Sequence, residues 1–375
     1  MKVDGNLEKP ALNVALIGCG KIADVHASLI SRNPVARLVG GCDSNIMMAE
    51  QLCERYRVPN SYADVEEMIM EQDIDVVHVT TPPRSHFEIG KVCLENGIHV
   101  YMEKPFTMYH REARDLIGMA SERGLKVTVG HDIQYTHNMK TLRKRISEGY
   151  HGDRIVHMES SFCYDLGDEQ YAKAFLNDTG HWVRKLPGGL LQNIMSHGIA
   201  KIAEYLGDEE PIIHAISFTS KMMTDAGGEN ILDELRTIIK SGHTTAYFTF
   251  SSQLKPSHSY FVVFGNKNGL LVDDDNSTIL KLSGIQYKSY LNKFVPHLVN
   301  MKGSASNLFF NLHKFMKRDF HMSHGMYNLI CEFYDSILHD KEVPIPYGEI
   351  LLTSSIMEEI LRQVGCLQHD YPVSS

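Results

Sequence analysis

A glycine-rich stretch decides the fold: after the apolar run 13–17 the chain reads Gly18-Cys19-Gly20-Lys21-Ile22-Ala23. The run has the composition of a buried strand, and the residues after the glycines suit a helix. Glycines at such a turn leave the N–H groups of the helix N-terminus open to a pyrophosphate. A second β-rich run, 36–42, ends at Asp43, where a carboxylate is placed to bind a ribose hydroxyl pair. This order predicts a nicotinamide dinucleotide as the cofactor.

The first third of the chain alternates short β-rich runs with helical stretches, which is the pattern of a parallel sheet with crossover helices. The residues predict strands at 13–18, 36–42, 75–80, 98–102 and 126–130, and helices at 22–31, 45–56, 87–96 and 109–123. We therefore predict a doubly wound, dinucleotide-binding Rossmann domain over residues 10–133.

After about Ile133 the alternation stops. Helices are predicted at 138–148 and 190–206, and two more close the chain at 326–338 and 347–364. Between the helix 190–206 and the two closing helices, residues 211–282 form β-rich runs. These runs are separated by the hairpin signals 226–228, Ser241-Gly242 and 265–269. The pattern predicts an α+β domain over 134–375 with an open, mostly antiparallel sheet.

Composition excludes several classes of partner. The 375 residues are 43% hydrophobic and carry a net charge of −9. This charge disfavours nucleic acid as a partner, because a negatively charged protein does not displace counterions from the phosphate backbone. Residues 1–10 lack a signal-peptide pattern, and no apolar run reaches membrane-spanning length. We therefore expect a cytoplasmic protein without an integral membrane segment.

The cysteines and histidines give no metal or disulfide signature. Seven cysteines without paired spacing indicate reduced core thiols, and Cys19 is interpreted as a small residue tolerated beside a cofactor. The twenty histidines include no His-Glu-x-x-His helix, and the pair His321-x-x-His324 lies in a polar connection. We expect no metal site.

Two further motifs carry candidate catalytic side chains. Glu103-Lys104-Pro105 ends a later strand of the first domain, where a lysine is otherwise most often a solvated surface charge. The stretch 187–197 begins with Pro187-Gly188-Gly189 and continues as a helix in which Asn193 and His197, four residues apart, share a face. Without further evidence, a helical histidine such as His197 more often has a structural role, with its hydrogen bonds made within the protein, than a catalytic one.

The early glycines, Glu103-Lys104-Pro105, and Gly188-Gly189 followed by His197 occur in the order that marks the glucose-fructose oxidoreductase / inositol dehydrogenase (Gfo/Idh/MocA) family, which this chain resembles. The resemblance implies hydride transfer between nicotinamide and a secondary alcohol carbon of a sugar, cyclitol or nucleotide sugar. It implies that Lys104 polarises the reacting oxygen and that His197 moves its proton.

The same resemblance implies a set of cofactor contacts. Thr81, Pro82 and His86 stand in its Thr-Pro turn, with a purely structural histidine as the alternative for His86. The loop with Trp182 and Arg184 lies near the cofactor or stacks on a sugar, although a tryptophan is most often packing. The complete predicted set is Gly18, Gly20, Lys21, Ile22, Asp43, Thr81, Pro82, His86, Glu103, Trp182 and Arg184. NAD is expected in preference to NADP because Asp43 repels a 2′-phosphate.

Two departures from the family pattern leave alternatives open. Asn193 stands where the family usually has aspartate, and Gln134 stands where arginine is frequent, which weakens the case for an anionic substrate. One alternative is an NAD-dependent glycoside hydrolase that oxidises its sugar transiently. The other is a catalytically silent dinucleotide-binding sensor, for which Asn193 is the strongest argument.

Two surfaces are expected to meet partners. The resemblance implies a homodimer or homotetramer through the sheet of the second domain. The stretch 308–320 places Leu308, Leu312, Phe315 and Met316 on one helical face, with three cations elsewhere. That face is expected to cover a domain edge or a subunit contact, and contact with a membrane surface or a partner helix remains the alternative.

Overall fold

A computed structural model of the protein describes residues 12–166, 176, 178, 180–207, 209–319 and 323–367. Backbone contacts divide the chain into two units. The first contains the residues up to Gly130 and Met326–Leu351, and the second contains His131–Gly325 and the residues from Leu352 onward. The division differs from the predicted domains in two respects, because residues 131–133 were expected in the first domain and Met326–Leu351 in the second. Its Tyr334 hydroxyl bonds to His78 Nε2 at 2.8 Å within the first unit.

Within the described residues, the first unit contains a six-stranded parallel sheet of order β3-β2-β1-β4-β5-β6. The order reverses between β1 and β4, the topological switch point where doubly wound folds bind ligands. The strands are β1 (Leu12–Ile17), β2 (Ala36–Cys42), β3 (Ser61–Tyr62), β4 (Val76–Val79), β5 (His99–Met102) and β6 (Val127–Val129), and the helices are α1 (Lys21–Ser31), α2 (Ile46–Tyr56), α3 (Val65–Glu71), α4 (His86–Glu95) and α5 (His110–Glu122).

Local sequence explains these elements. The side chains of β1 and β4 are buried almost throughout, as expected for strands covered on both faces. Asn45 and Asp64 cap α2 and α3 by accepting backbone N–H groups. The sequence prediction missed β3 and α3, which are too short to show a clear period.

The second unit contains a seven-stranded sheet of order β13-β12-β11-β7-β10-β9-β8 among the described residues. Neighbouring strands are antiparallel except β7 and β10. The strands are β7 (Ile155–Cys163), β8 (Ile212–Phe218), β9 (Glu234–Ser241), β10 (Thr244–Ser251), β11 (His258–Gly265), β12 (Gly269–Asp273) and β13 (Thr278–Leu282). The predicted fold class, a Rossmann domain followed by a mostly antiparallel α+β domain, is confirmed.

The remaining helices are α6 (His137–Ser147), α7 (Gly189–Ile194), α8 (Ser196–Ala203), α9 (Lys221–Asp225), α10 (Val295–Met316), α11 (His324–Leu338) and α12 (Tyr347–Gln363). The predicted helix 190–206 is two helices, although Met195 between them keeps helical dihedral angles. The hairpin signal at 226–228 instead follows α9. No helix in the described part of the chain is long and apolar enough to cross a membrane.

Candidate active site

The loop after β1 is held against the end of β4. Gly18 has φ +90°, and a Cβ there would lie 2.7 Å from the backbone nitrogen of Thr81. The Thr80 hydroxyl donates to the carbonyl oxygens of Ile17 (3.1 Å) and Gly18 (2.6 Å). Glycine is required at position 18 because a side chain fits neither the backbone conformation nor the space.

The N-terminus of α1 forms an open cradle. Gly20 caps the helix without a side-chain hydrogen bond, and a Cβ at Gly20 would meet no atom within 4 Å. Lys21 and Ile22 in the first turn are exposed. The leading N–H groups of the helix therefore have room for an anionic group, as a dinucleotide pyrophosphate requires.

Asp43 at the end of β2 is fixed beside this loop. Its Oδ2 accepts the backbone N–H of Cys19 at 2.8 Å, and its Oδ1 accepts that of Asn45 at 2.9 Å. The carboxylate thus lies next to the glycine loop, where the sequence predicts a ribose contact. Burial raises the pKa of the Cys19 thiol to about 12, so this cysteine is not a thiolate nucleophile at neutral pH.

His86 joins the two loops that follow β4 and β5. The side chain is fully buried, with Nε2 2.9 Å from the Thr81 carbonyl oxygen and Nδ1 3.0 Å from that of Pro105. Burial lowers the pKa of His86, so the neutral ring donates to one of these loops at a time. These contacts favour the structural alternative, in which His86 positions Thr81, Pro82 and the Lys104 loop.

Glu103 is turned back into the first unit and supports Lys104. Its Oε2 accepts the Lys104 backbone N–H at 3.1 Å, and its Oε1 lies 2.9 Å from His26 Nε2. A Cβ at Gly130 would come within 2.8 Å of Oε1, so this position also needs a glycine. Lys104 itself is half-buried. Glu103 is therefore a positioning residue behind the lysine.

A buried chain of hydrogen bonds continues from Glu103. His26 Nδ1 lies 2.8 Å from His78 Nδ1, and His78 Nε2 lies 2.8 Å from the Tyr334 hydroxyl. The carboxylate can only accept, which makes His26 Nε2 a donor to Glu103. The Tyr101 ring stacks on His78 at 4.5 Å.

The pKa shifts agree with this assignment. Burial lowers the pKa of His78 well below its usual value, with His26 adding to the effect, and burial raises the pKa of Tyr334 well above 10. Burial alone would raise the pKa of Glu103, but the His26 hydrogen bond and the Lys104 charge outweigh it and lower that pKa. The chain of hydrogen bonds therefore ends at the ionised carboxylate of Glu103, next to Lys104.

The second group of predicted residues lies in the second unit. Asn193 is in α7 and His197 is in α8, and both are half-buried while the residues flanking each of them are buried. The His197 ring stacks on Phe162 with centroids 4.9 Å apart. The two side chains are thus the accessible positions of this helix pair, as the four-residue spacing predicts.

Close packing fixes the helix that carries His197. A Cβ at Gly198 would overlap the Phe248 ring and lie 2.9 Å from Ser160 Oγ. On the buried side, Lys201 Nζ pairs with Asp274 Oδ2 at 2.8 Å and is fully buried. Sequence reasoning missed these three positioning contacts because their partners lie far along the chain.

The turn before α7 holds the other predicted contacts of the second unit. Residues Trp182–Lys185 form a 3₁₀ turn, with the Trp182 ring partly exposed and stacked on His181 at 6.0 Å. Arg184 Nη2 donates to the Leu176 carbonyl at 3.0 Å. The turn is stabilised by its own contacts, and a cofactor role for Trp182 and Arg184 stays a prediction.

Metal binding finds no support in the part of the chain that the structure describes, where no group of three or more His, Cys, Asp or Glu side chains is placed to hold an ion. His321 of the His321-x-x-His324 pair and Phe320 of the stretch 308–320 lie outside the described residues. None of the seven cysteines, which all lie within the described residues, forms a disulfide.

Comparison with known proteins finds a family model that matches part of the chain. Residues 12–131 match the model of the oxidoreductase family with an NAD-binding Rossmann fold. The chain is 34% identical over 146 residues to the D-glucoside 3-dehydrogenase of Escherichia coli K12, covering 39% of this chain and 42% of that protein. It is 32% identical over 120 residues to the UDP-N-acetylglucosamine 3-dehydrogenase of Acidithiobacillus ferrooxidans, covering 32% and 37%. The matches thus span about two fifths of these relatives.

Solved structures match over nearly the whole chain. The UDP-N-acetylglucosamine 3-dehydrogenase GnnA from Acidithiobacillus ferrooxidans has a TM-score of 0.70 at 18% identity, covering 95% of this chain and 99% of that one. The WlbA dehydrogenase from Bordetella pertussis, in complex with NADH and UDP-GlcNAcA, has a TM-score of 0.73 at 16% identity, covering 95% and 96%. These likenesses establish the fold of both units. Residues 12–131 thus match the model of the Gfo/Idh/MocA oxidoreductases, which have an NAD-binding Rossmann fold.

Proposed function

We propose that the protein is an NAD-dependent dehydrogenase that transfers hydride between nicotinamide and a secondary alcohol carbon of a sugar, cyclitol or nucleotide sugar. The observation that carries the proposal is the Lys104 loop, where a buried, ionised Glu103 holds the backbone of a half-buried lysine at the carboxyl end of β5. Two curated relatives are named sugar or nucleotide-sugar 3-dehydrogenases, which supports this substrate class.

The residues of the first unit fit a dinucleotide. The open N-terminus of α1 at Gly20, with Lys21 and Ile22, would hold the pyrophosphate, and Asp43 would hold the adenosine ribose. Thr81 and Pro82 would line the nicotinamide side, placed by His86. The bound cofactor supplies the redox step by accepting or returning the hydride.

The remaining chemistry falls to side chains of this chain. In the proposed reaction, the Lys104 ammonium donates a hydrogen bond to the reacting oxygen and stabilises the charge that develops on it. His197 removes the proton from the alcohol in oxidation and returns it in reduction. Asn193, half-buried four residues before His197, orients the substrate with neutral hydrogen bonds.

NAD is the proposed cofactor in preference to NADP. Asp43 is held by two backbone N–H groups, so its carboxylate cannot readily move aside, and it would repel a 2′-phosphate. Fluorescence titration of NADH and NADPH measures this preference. We expect tighter binding of NADH, reduced or lost in Asp43→Ser; tighter binding of NADPH by the wild type would contradict the assignment.

Assembly through the second unit is part of the proposal. The sheet leaves Ile212, Ile216, Ile238 and Tyr247 exposed on neighbouring strands β8, β9 and β10, and such a contiguous apolar patch is typical of a subunit interface. We propose that two copies pair through this face, as a dimer or within a tetramer. The seven cysteines form no disulfide and five of them are buried, which supports a reducing compartment such as the cytoplasm.

A panel assay tests the proposed function. The protein is mixed with NAD and a series of sugars, cyclitols and nucleotide sugars, and the absorbance of reduced cofactor is followed. We expect stoichiometric NADH formation with at least one member, slowed by on the order of a hundredfold or more in Lys104→Ala. Glycoside cleavage without net NADH would instead identify the hydrolase, and NADH binding without any turnover would identify the sensor.

A further inference from the structure

Helix α10 turns a polar side toward its own unit. The Asn307 side chain accepts the Ile279 backbone N–H at 3.3 Å and donates to the Ile279 carbonyl at 3.0 Å. One turn on, Asn311 Nδ2 donates to the Asn276 carbonyl at 3.3 Å. Gly303, one turn before, faces Leu280 of β13, with a Cβ there 3.5 Å from Leu280 Cδ2. The helix is therefore attached to the edge strand β13 through amides and a glycine.

The opposite side of α10 is apolar and exposed. At 100° per residue, seven of its exposed large side chains fall in one stripe nearly half a turn away from the asparagines, while Val299 and Phe310 lie outside it. Phe309, Phe315 and Met316 are 69%, 70% and 73% exposed. A surface helix ordinarily buries its apolar side and exposes its polar side, so α10 is inverted. The stripe consists of Leu298, Met301, Leu308, Phe309, Leu312, Phe315 and Met316, and we call it the α10 stripe.

The segment that carries the stripe contains charges of one sign, with Asp273, Asp274 and Asp275 just before it and Asp319 just after it. Residues 276–318 contain no aspartate or glutamate, although the chain as a whole carries a net charge of −9. The same residues contain seven cations, of which Lys314 pairs with Asp319 just beyond the segment at 2.5 Å. The cations are Lys281, Lys288, Lys293, Lys302, Lys314, Lys317 and Arg318. The exposed apolar stripe and a block of positive charge thus occur in the same segment of a protein that is acidic as a whole.

We propose that α10 is an interfacial helix that docks the protein on an anionic lipid surface, with the α10 stripe in the headgroup and acyl boundary. Phenylalanine and leucine on one side of a helix with lysines nearby are the features of helices that lie in the plane of a membrane. Anionic headgroups satisfy the cations while the lipid boundary covers the stripe. The 22-residue helix would lie along the surface rather than cross it.

Charge argues against a second copy as the occupant. A twofold contact places the same surface of both copies together, so two α10 segments would bring their lysines into one interface. The segment supplies no carboxylate to neutralise them. A second copy has a separate apolar face available on β8, β9 and β10. A lipid surface fits both the stripe and the sign of the charge.

Vesicle flotation of the full-length protein tests the proposal. The probes are vesicles of phosphatidylcholine alone and of equimolar phosphatidylcholine and phosphatidylserine. We expect flotation with the anionic vesicles, weakened by added salt, and at least a tenfold weaker binding by Phe309→Ser/Phe315→Ser. Lys302→Ala/Lys317→Ala should weaken binding by about fivefold per lysine. The matched control Met47→Ser/Met70→Ser, at exposed methionines of α2 and α3, should bind as the wild type does.

Light scattering and thermal unfolding complete the test. Each variant should keep the wild-type melting temperature and molecular mass, because the changed side chains are exposed. No flotation, or equal flotation with both kinds of vesicle, would overturn the proposal. A loss of mass in Phe309→Ser/Phe315→Ser would overturn it in favour of a second copy on the α10 stripe. NADH binding is measured in parallel, so failure here is distinguished from failure of the dehydrogenase assignment.

Discussion

The loop that carries Lys104 and the helix pair that carries His197 are supported in different ways. Behind Lys104 lies a polar framework in which Glu103, His26, His78 and Tyr334 are joined by hydrogen bonds of 2.8–2.9 Å. Behind His197 the helix is closely packed, because Gly198 lies against the Phe248 ring and leaves no space for a side chain.

The difference predicts different sensitivities. A hydrogen-bonded framework fixes protonation states as well as positions, so its contribution depends on pH. A closely packed helix has no space for a larger side chain, so an added atom displaces the helix and lowers the stability that its packing provides. Substitutions that change charge should therefore act mainly through the Lys104 loop, and substitutions that change volume should act mainly through the helix pair.

The largest effect is expected from Lys104→Ala. If the ammonium stabilises charge on the substrate oxygen, turnover should fall by on the order of a hundredfold or more, while NADH affinity changes little. Steady-state kinetics and NADH titration measure the two quantities separately. Lys144→Ala, at an exposed lysine of α6, is the control and should be fully active. Near-normal turnover in Lys104→Ala would remove the lysine from the mechanism.

The packed side is tested by Gly198→Ala. The new methyl group overlaps the Phe248 ring, so we expect a loss of about 1–3 kcal/mol in the free energy of unfolding and a fall in turnover of roughly tenfold as His197 is displaced. Urea unfolding and kinetics measure both. Gly118→Ala in α5, where a Cβ meets no atom within 4 Å, should instead be neutral or slightly stabilising. Recovery of turnover in Gly198→Ala/Phe248→Leu would trace the defect to this contact.

The polar framework is tested by the pH dependence of stability. Burial lowers the pKa of His78, so its contribution is present above the ordinary histidine pKa of about 6.5 and is lost as pH falls below it, because the unfolded chain takes up a proton that the native state resists. Unfolding of the wild type is therefore coupled to the uptake of up to about one proton at this site, and His78→Leu should remove that coupling. The slope of the free energy of unfolding against pH should fall by up to about 1.4 kcal/mol per pH unit.

Urea unfolding at pH 7.5 and at pH 5.5 measures the slope in both proteins. Tyr334→Phe is the control, since it removes a hydrogen bond to His78 but keeps the buried ring. It should lower stability by about 1–3 kcal/mol and keep the wild-type slope. Equal slopes in wild type and His78→Leu would show that His78 is not held neutral.

The smallest expected effect is that of Asn193→Asp. A carboxylate near His197 favours the imidazolium, so the apparent pKa in the pH–rate profile should rise, by about a unit or less. The measurement is the pair of profiles on one substrate. If the profiles coincide, the two side chains do not share a site and the shared helix face must be abandoned.

The sequence predicted the Rossmann part and its loops well because each motif follows a strand, and parallel strands bring their carboxyl ends to one edge of the sheet. It could not show the His26–His78–Tyr334 chain, whose members are 52 and 256 residues apart. It also missed the contact of Gly198 with Phe248, which depends on how α8 lies on the sheet. The first half of α10 was missed because Gly303 is a poor helix former, whereas Pro296 stands in the first turn, where proline is tolerated.

Isotope transfer tests the central claim most directly. A substrate from the panel, deuterated at the alcohol carbon, is incubated with NAD, and the reduced cofactor is examined by mass spectrometry and NMR. We expect one deuterium on C4 of the nicotinamide for each molecule of product, and labelling slowed by on the order of a hundredfold or more in Lys104→Ala. Product formed without deuterium in the cofactor, or no transfer from any alcohol in the panel, would contradict the assignment as a dehydrogenase.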